Sequence, residues 1–151
     1  MKKIKTAVDS TGEELELWHS ESLAFTPALA PFLRVYAEII EKNLTLPTMA
    51  FKNSNRVTWA ENKDGRVVGG ICYELIPETA TGWLVLSFTD PEFRGRGINE
   101  LCHEIYEKDC VALGATNLGS VVSVNNESRI KSAAKVGMIP TFYRMYKNLK
   151  Q

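Results

Sequence analysis

The sequence predicts an α+β fold, in which one mixed, mostly antiparallel sheet is flanked by helices. Two pairs of strand-like segments are joined by Asp-Ser-Thr-Gly and Asn-Lys-Asp-Gly, which are turn sequences typical of antiparallel hairpins. Two later segments with helical spacing each end at a glycine. A length of 151 residues with 44% hydrophobic residues suits one domain with a sizeable core. No linker or repeat divides the chain, so we assign residues 1–151 to a single domain.

The first half is predicted to contain two hairpins separated by a helix. The first hairpin covers residues 4–8 and 15–19, and the second covers 57–61 and 66–76. Between them, apolar residues at helical spacing predict a helix over residues 29–42, starting either near Thr26-Pro27 or at Pro31. Residues 43–55 are polar and contain a proline, which is typical of a loop at the rim of a site. Gly69-Gly70 within a strand indicates a bulge or the close approach of another backbone.

The second half predicts an alternation of strands and helices. A turn over residues 77–82 leads to a strand over 83–89 and then a helix over 98–113, which stops at Gly114. A strand over 116–124, a helix over 126–136 ended by Gly137, and a last strand over 141–146 follow. This order is not a regular βαβ series, and it therefore favours an α+β class with a mixed sheet.

Composition limits the classes of function. The 18 basic and 18 acidic residues balance, which argues against a nucleic-acid partner. The apolar runs have strand length, so we expect no membrane-spanning helix. Cys72, Cys102 and Cys110 lack metal-ligand spacing, and His19 and His103 lack metal-ligand neighbours, so we expect no metal and a reducing, cytoplasmic location.

The segment from Asp90 to Asn99 is the strongest functional signal. It joins a predicted strand to a predicted helix and contains two glycines and two arginines. Glycines allow main-chain N–H groups to approach a ligand closely, and the start of a helix favours negative charge. Arg94 and Arg96 add donors suited to phosphate oxygens. The segment therefore predicts a site for a phosphate-bearing ligand.

Two familiar phosphate loops do not fit this segment. A Walker loop requires Gly-Lys followed by Ser or Thr, which is absent. A Rossmann loop requires a third glycine where Glu100 stands, and a βαβ unit where this chain has hairpins.

The sequence Pro-Glu-Phe-Arg-Gly-Arg-Gly-Ile at residues 91–98 resembles the acyl-CoA pyrophosphate loop of the GNAT superfamily of N-acetyltransferases. Downstream, Asn126-Glu127-Ser128-Arg129 and Ala134-Lys135-Val136-Gly137-Met138 resemble that superfamily's next strand-to-helix segment. The two segments occur in the right order, and the likeness covers about residues 57–138.

This resemblance implies a sheet whose strands 83–89 and 116–124 splay apart to admit the pantetheine arm of acetyl-CoA. It implies that the pyrophosphate binds along Arg94, Gly95, Arg96, Gly97, Ile98 and Asn99, the last of which replaces the usual Gly or Ala. Main-chain groups near Ser87, Phe88 and Thr89 would bind the arm and polarise the thioester, and Asn126 would contact the arm from the other side.

The acid and base of the reaction stay open at this stage. Ala133 stands where many relatives of the superfamily carry a tyrosine that protonates the leaving thiolate. The candidates for this role are Tyr143 and Ser132, ahead of Ser128, Tyr146 and water. Glu74 is the first candidate base, with Asp90 and Glu92 as others.

The resemblance implies an acetyl-CoA-dependent N-acetyltransferase in which an amine attacks the thioester directly. The acceptor would be a small-molecule or peptide amine bound between the helix 29–42, the loop 43–55 and the turn 77–82. The alternative is a CoA-binding or interaction module that keeps the fold without catalysis. Only 14 residues follow Gly137, enough for one strand, and this favours a homodimer that covers the exposed sheet edge.

Overall fold

The computed structural model describes residues 1–42, 51–141, 145, 147 and 149. These residues form one six-stranded sheet and three α-helices, which confirms the predicted α+β class. The strands are β1 (Lys2–Val8), β2 (Glu14–Ser20), β3 (Arg56–Asn62), β4 (Val67–Ile76), β5 (Thr81–Thr89) and β6 (Asn117–Ser120). The helices are α1 (Leu29–Glu41), α2 (Ile98–Ala112) and α3 (Glu127–Lys135).

The strands lie in the sheet in their chain order, from β1 to β6. Neighbours from β1 to β5 are antiparallel, and β6 runs parallel to β5 because α2 crosses between them. Both predicted hairpin turns are present, and Gly12 and Gly65 adopt positive φ in them. The sheet is therefore mixed and mostly antiparallel, as the sequence predicts.

Each face of the sheet carries its own core. One face packs against α2 through residues such as Ile71, Tyr73 and Tyr106. The opposite face packs against α1 through Phe32, Trp59, Cys72 and Leu86, among others. The faces alternate because successive side chains of a strand point to opposite sides.

Several predicted boundaries need correction. The strand predicted over 116–124 is only Asn117–Ser120, because β5 pairs with it from Thr81 to Leu84 and no further. Gly82, predicted as part of a turn, lies inside β5. Helix α1 begins at Leu29, between the two predicted starts, because the Thr26 hydroxyl donates to the Leu23 carbonyl instead of capping the helix. Of the predicted last strand, residues 142–144 and 146 lie outside the described residues.

Three glycine predictions are confirmed. Gly114 and Gly137 follow α2 and α3 with φ of +95° and +84°. At Gly70 the backbone of Thr58 approaches so closely that a β-carbon would lie 2.8 Å from its carbonyl oxygen. In the described part of the chain, no helix has the length and apolarity needed to cross a membrane.

Candidate functional site

The loop that joins β5 to α2 is built by glycines. A short 3₁₀ turn (Pro91–Phe93) follows β5, with the Asp90 carboxylate accepting from the Glu92 N–H at 3.0 Å. Gly95 and Gly97 then adopt φ of +74° and +82°, a region that other residues enter only with strain. A β-carbon at Gly95 would have no neighbour within 4 Å, and one at Gly97 would meet only the Glu100 carboxylate at 4.0 Å. The glycines therefore leave the concave side of the loop open.

From Arg94 onward, the main-chain N–H groups of this loop have no partner within the described residues. None of the seven consecutive N–H groups from Arg94 to Glu100 donates a hydrogen bond there, and Gly97 caps α2 without a side-chain acceptor. Unpaired N–H groups at the start of a 15-residue helix attract anions because the helix dipole is positive at that end. The arrangement is thus suited to a phosphate group.

The two loop arginines have different surroundings. Arg94 is exposed and makes no ion pair with a described residue. Arg96 donates to the Glu13 carboxylate at 2.9 Å and to the Glu92 carbonyl at 3.1 Å, and it lies 3.5 Å from Asp9 Oδ2. Its guanidinium also stacks on Phe93, 4.6 Å from the ring centre. The side chain of Arg96 is therefore occupied by protein groups, and its main-chain N–H is the part left for an anion.

The sheet opens beside this loop. The pairing of β5 with β6 ends at Leu84 and Ser120, where the Ser120 hydroxyl donates to the Leu84 carbonyl at 3.1 Å. Strand β5 continues for five residues to Thr89 with no further β6 partner. Alternate main-chain groups along this edge, which includes Ser87, Phe88 and Thr89, therefore face a cleft. The splayed strand pair predicted from the sequence is present.

A bulge in β5 marks the point where the cleft begins. Cys72 is opposite Leu86 and Tyr73 is opposite Leu84, so Val85 is an extra residue in β5. Bulges bend a strand and redirect its main-chain groups. Val85 and Ser120 were missed by sequence analysis, since neither the bulge nor the end of the pairing has a local signal there.

Asn126 is the N-cap of α3, the helix that follows β6 in the chain. Its side-chain oxygen accepts from the Arg129 N–H at 3.2 Å. This bond leaves the side-chain NH₂ of Asn126 without an acceptor in the described residues. Capping and ligand contact are therefore compatible at this residue.

Within the described residues, the acid candidate Ser132 and the base candidate Glu74 make no hydrogen bond with each other. The Ser132 hydroxyl donates to the Arg129 carbonyl at 3.0 Å and accepts from the Arg129 guanidinium at 3.3 Å. Glu74 is half-buried on β4 opposite Trp83, on the face that carries α1. Tyr143 lies outside the described residues.

The buried tyrosines Tyr73 and Tyr106 serve as structural donors. Tyr106 on α2 donates to the Gly82 carbonyl at 2.6 Å, and burial raises the pKa of this phenol well above its usual value. Tyr73 donates to Asp109 at 2.7 Å, and burial, followed by this bond to Asp109, raises its pKa as well. Neither phenol is poised to give up its proton near neutral pH.

The histidines and cysteines do not form a site. His19 lies beside Asp109 at 3.2 Å, and His103 packs on Tyr106 with ring centres 5.1 Å apart. The three cysteines are free and buried, and no cluster of three or more His, Cys, Asp or Glu residues in the described ranges could hold a metal.

Comparisons with solved structures give the same fold. An aminoglycoside acetyltransferase from an uncultured soil metagenomic sample, in complex with trehalose, matches with a TM-score of 0.68 at 13% identity, over 90% of this chain and 97% of that one. A ribosomal-protein-alanine N-acetyltransferase from Brucella melitensis biovar Abortus 2308 matches with a TM-score of 0.65 at 14% identity, over 89% and 99%. An aminoglycoside N-acetyltransferase solved with CoA matches with a TM-score of 0.65 at 15% identity, over 89% and 99%.

No curated protein sequence matches this chain significantly. The Acetyltransferase (GNAT) family, however, matches residues 15–138, which extend from within β2 to beyond α3 and contain both motifs noted in the sequence. With this match and the shared fold, the chain belongs to the GNAT family of acetyltransferases and is an acyltransferase of the kind that uses acetyl-CoA as cosubstrate.

Proposed function

We propose that this protein moves the acetyl group of acetyl-CoA to a primary amine by direct attack. The amine nitrogen forms a bond to the thioester carbon, the carbon–sulfur bond breaks, and the CoA thiolate takes up a proton while the nitrogen loses one. The observation that carries the proposal is the row of seven N–H groups from Arg94 to Glu100 that have no partner among the described residues. Such a row, next to a cleft in the sheet, matches the diphosphate and the arm of CoA.

The residues are assigned as follows. The diphosphate binds the N–H groups of Arg94, Gly95, Arg96, Gly97, Ile98 and Asn99, and the Arg94 side chain adds a charge-assisted contact. The arm lies along β5 near Ser87, Phe88 and Thr89, with the Asn126 amide on the other side. A main-chain N–H at or just after the Val85 bulge polarises the thioester carbonyl.

We assign the proton taken up by the thiolate to water, and the proton lost by the amine to a carboxylate of this chain. Because Ser132 already bonds to Arg129 on both its donor and acceptor sides, water is a better acid than Ser132 for the thiolate. Tyr143 stays a candidate from sequence alone. Glu74 faces the α1 side, where the acceptor is proposed to bind, and is the carboxylate we assign as base, directly or through water.

The acceptor class is proposed from the position of α1 beside the cleft and from the acceptors of proteins with a similar structure. Phe32 of α1 packs edge-on against Phe88 of β5, which places this helix beside the cleft. Two of the similar structures are described as aminoglycoside acetyltransferases, and another as a ribosomal-protein-alanine N-acetyltransferase. We therefore propose a small-molecule or peptide amine as acceptor.

Calorimetry with coenzyme A tests the proposal, with two tryptophan variants chosen for contrast. Gly97→Trp places a side chain on the open side of the loop, whereas Gly114→Trp places one at the opposite end of α2. Both positions have positive φ and open surroundings, so the backbone strain is matched. We expect Gly97→Trp to abolish CoA binding and Gly114→Trp to bind as the unchanged protein does.

The catalytic part is tested by release of free CoA thiol from acetyl-CoA in the presence of a panel of amines. Release with at least one amine supports the transferase. CoA binding without release across the panel would favour the non-catalytic binding module instead, and absence of CoA binding would contradict both.

The molecule's assembly and location are proposed on separate grounds. Apolar side chains are exposed at Val121, Val124 and Ile139, near the β6 edge in sequence, and they support a homodimer. A mass that stays monomeric at every concentration in solution would contradict it.

The free, buried cysteines support a reducing, cytoplasmic location.

A further inference from the structure

The turn between β1 and β2 fastens the β5–α2 loop through its carbonyl groups. The Ser10 N–H donates to the Arg96 carbonyl at 3.0 Å, and the Ser10 hydroxyl donates to the Gly95 carbonyl at 3.4 Å. In a trans peptide the carbonyl and the next N–H point in opposite directions. Holding these two carbonyls therefore aims the N–H groups of Arg96 and Gly97 away from the turn, toward the open side of the loop.

A second connection runs through the side chain of Arg96. It donates to Glu13 and lies against Asp9, whose side chain is fully buried. Oδ1 of Asp9 accepts three hydrogen bonds, from the N–H and hydroxyl of Thr11 and from the N–H of Glu13. Oδ2 of Asp9 is buried without any hydrogen bond in the described residues, and its nearest ionic partner is Arg96.

The β3–β4 turn has the same geometry as the β1–β2 turn, and comparing them shows which hydrogen bonds of Asp9 are needed to form the turn. The two turns have the same main-chain bonds: Gly12 N–H to Asp9 and Gly65 N–H to Asn62, at 3.1 and 2.9 Å. In each, the first side chain accepts from the N–H groups two and four residues later. Because the amide of Asn62 is sufficient there, the second carboxylate oxygen of Asp9 is not needed for the turn.

We propose that Asp9 and Ser10 are positioning residues for the diphosphate, holding the loop from behind so that its N–H groups are presented to the ligand. This inference rests on the proposed binding of CoA. Arg96 is the link between turn and loop, and Asp9 keeps it on the turn side. Each contact joins residues about 85 positions apart in the chain, so none of them is local to the loop.

The structure offers a matched pair of substitutions to test this. Ser10 and Lys63 each hold the second position of their turn, which favours proline. Ser10→Pro removes both donors to the loop. Lys63→Pro makes the same change in the sister turn, where the exposed Lys63 makes no hydrogen bond with a described residue. Asp9→Asn is the second variant, since Asn62 shows that the turn tolerates it.

The measurement compares two acyl donors, acetyl-CoA and S-acetylpantetheine, of which the second lacks the diphosphate. We expect Ser10→Pro to raise the KM for acetyl-CoA about tenfold with little change in kcat, and to leave kcat/KM for S-acetylpantetheine unchanged. Asp9→Asn should show the same split with a smaller effect, and Lys63→Pro should show none.

Equal losses with both donors, or unchanged kinetics in Ser10→Pro and Asp9→Asn, would overturn the positioning role. If Ser10→Pro does not fold, Asp9→Asn alone decides, by the same comparison. Failure of the unchanged protein to bind CoA would instead contradict the proposed function, so the two failures are distinguishable.

Discussion

At the scale of single residues, Arg94 and Arg96 show how two similar side chains in one loop take different roles. Arg94 is exposed and has no ion-pair partner in the described chain, while Arg96 bonds to Glu13 and covers Phe93. A free guanidinium at the edge of an anion site gives affinity without supporting the fold. A guanidinium paired with buried groups supports the fold, and its removal leaves those groups without a partner.

We predict opposite outcomes when each arginine is replaced by glutamine. Arg94→Gln should weaken CoA binding about three- to tenfold and leave the melting temperature unchanged, because only a ligand contact is lost. Arg96→Gln should lower the melting temperature by about 3–6 °C, because Asp9 and Glu13 lose their partner. Calorimetry and thermal unfolding of both variants check this. A lower melting temperature for Arg94→Gln alone would show that the roles are reversed.

The sequence predicted the loop but not the direction of these side chains. The positive φ of Gly95 and Gly97 can be predicted from the sequence, since glycine is the residue that adopts such angles freely. The partner of Arg96 is Glu13, 83 positions earlier, and nothing near Arg96 indicates this pairing. Ser132 likewise was a reasonable acid candidate by type, and its bonds to Arg129 become visible only in the folded helix.

At the scale of elements, the opening of the sheet depends on a short pairing between β5 and β6. Only four residue pairs join them, from Thr81–Asn117 to Leu84–Ser120. Helix α2 packs closely against this paired end of the two strands and stabilises the pairing, since Cys110 of α2 contacts Gly82 of β5. The sequence indicates the close approach at Gly69-Gly70, because two glycines interrupt an apolar strand there. It does not indicate the one at Gly82, because this glycine follows a proline-containing segment and is predicted to belong to a turn.

We predict that Gly82→Ala destabilises the protein through Cys110. A β-carbon at Gly82 would lie 2.5 Å from the Cys110 sulfur and 2.8 Å from Leu118, so the neighbours must move. The expected loss in the free energy of unfolding is about 1–3 kcal/mol. Cys110→Ala removes the sulfur, so the double variant should lose less than the sum of the two single losses. Denaturant unfolding of the three variants measures this coupling, and strict additivity would show that Cys110 is not the obstacle.

At the scale of the whole molecule, a half-buried ionic cluster ties the sheet to α2 away from the cleft. Asp109 on α2 accepts two bonds from Arg56 of β3, at 2.7 and 3.0 Å, one from Tyr73 of β4 and one from His19 of β2. Three strands and one helix therefore meet at a single carboxylate. Replacing it should affect the stability of the entire domain, because the remaining groups would stay partly buried without their acceptor.

The titration of this cluster determines how the molecule responds to acid. Burial lowers the pKa of His19 below its ordinary 6.5, although Asp109 opposes this, so the unfolded chain binds a proton here first as the pH falls. Burial raises the pKa of Asp109, but the bonds from Arg56 and Tyr73 outweigh it and hold the pKa below 3.8. Both groups therefore favour the folded state at neutral pH and disfavour it in acid: His19 from below about pH 6.5 and Asp109 from below about pH 4.

We predict that Asp109→Asn lowers the free energy of unfolding by about 2–3 kcal/mol at pH 7, because the partly buried Arg56 and the buried Tyr73 lose a charged acceptor. Between about pH 4 and pH 2 the variant should lose less stability than the unchanged protein, since asparagine cannot take up a proton. Asp64→Asn, at an exposed turn position, is the control and should follow the unchanged protein. Urea unfolding at several pH values measures all three. If the stability of Asp109→Asn ran parallel to that of the unchanged protein through this range, the charge of Asp109 would contribute nothing to the fold, and the contacts around it would act only through packing.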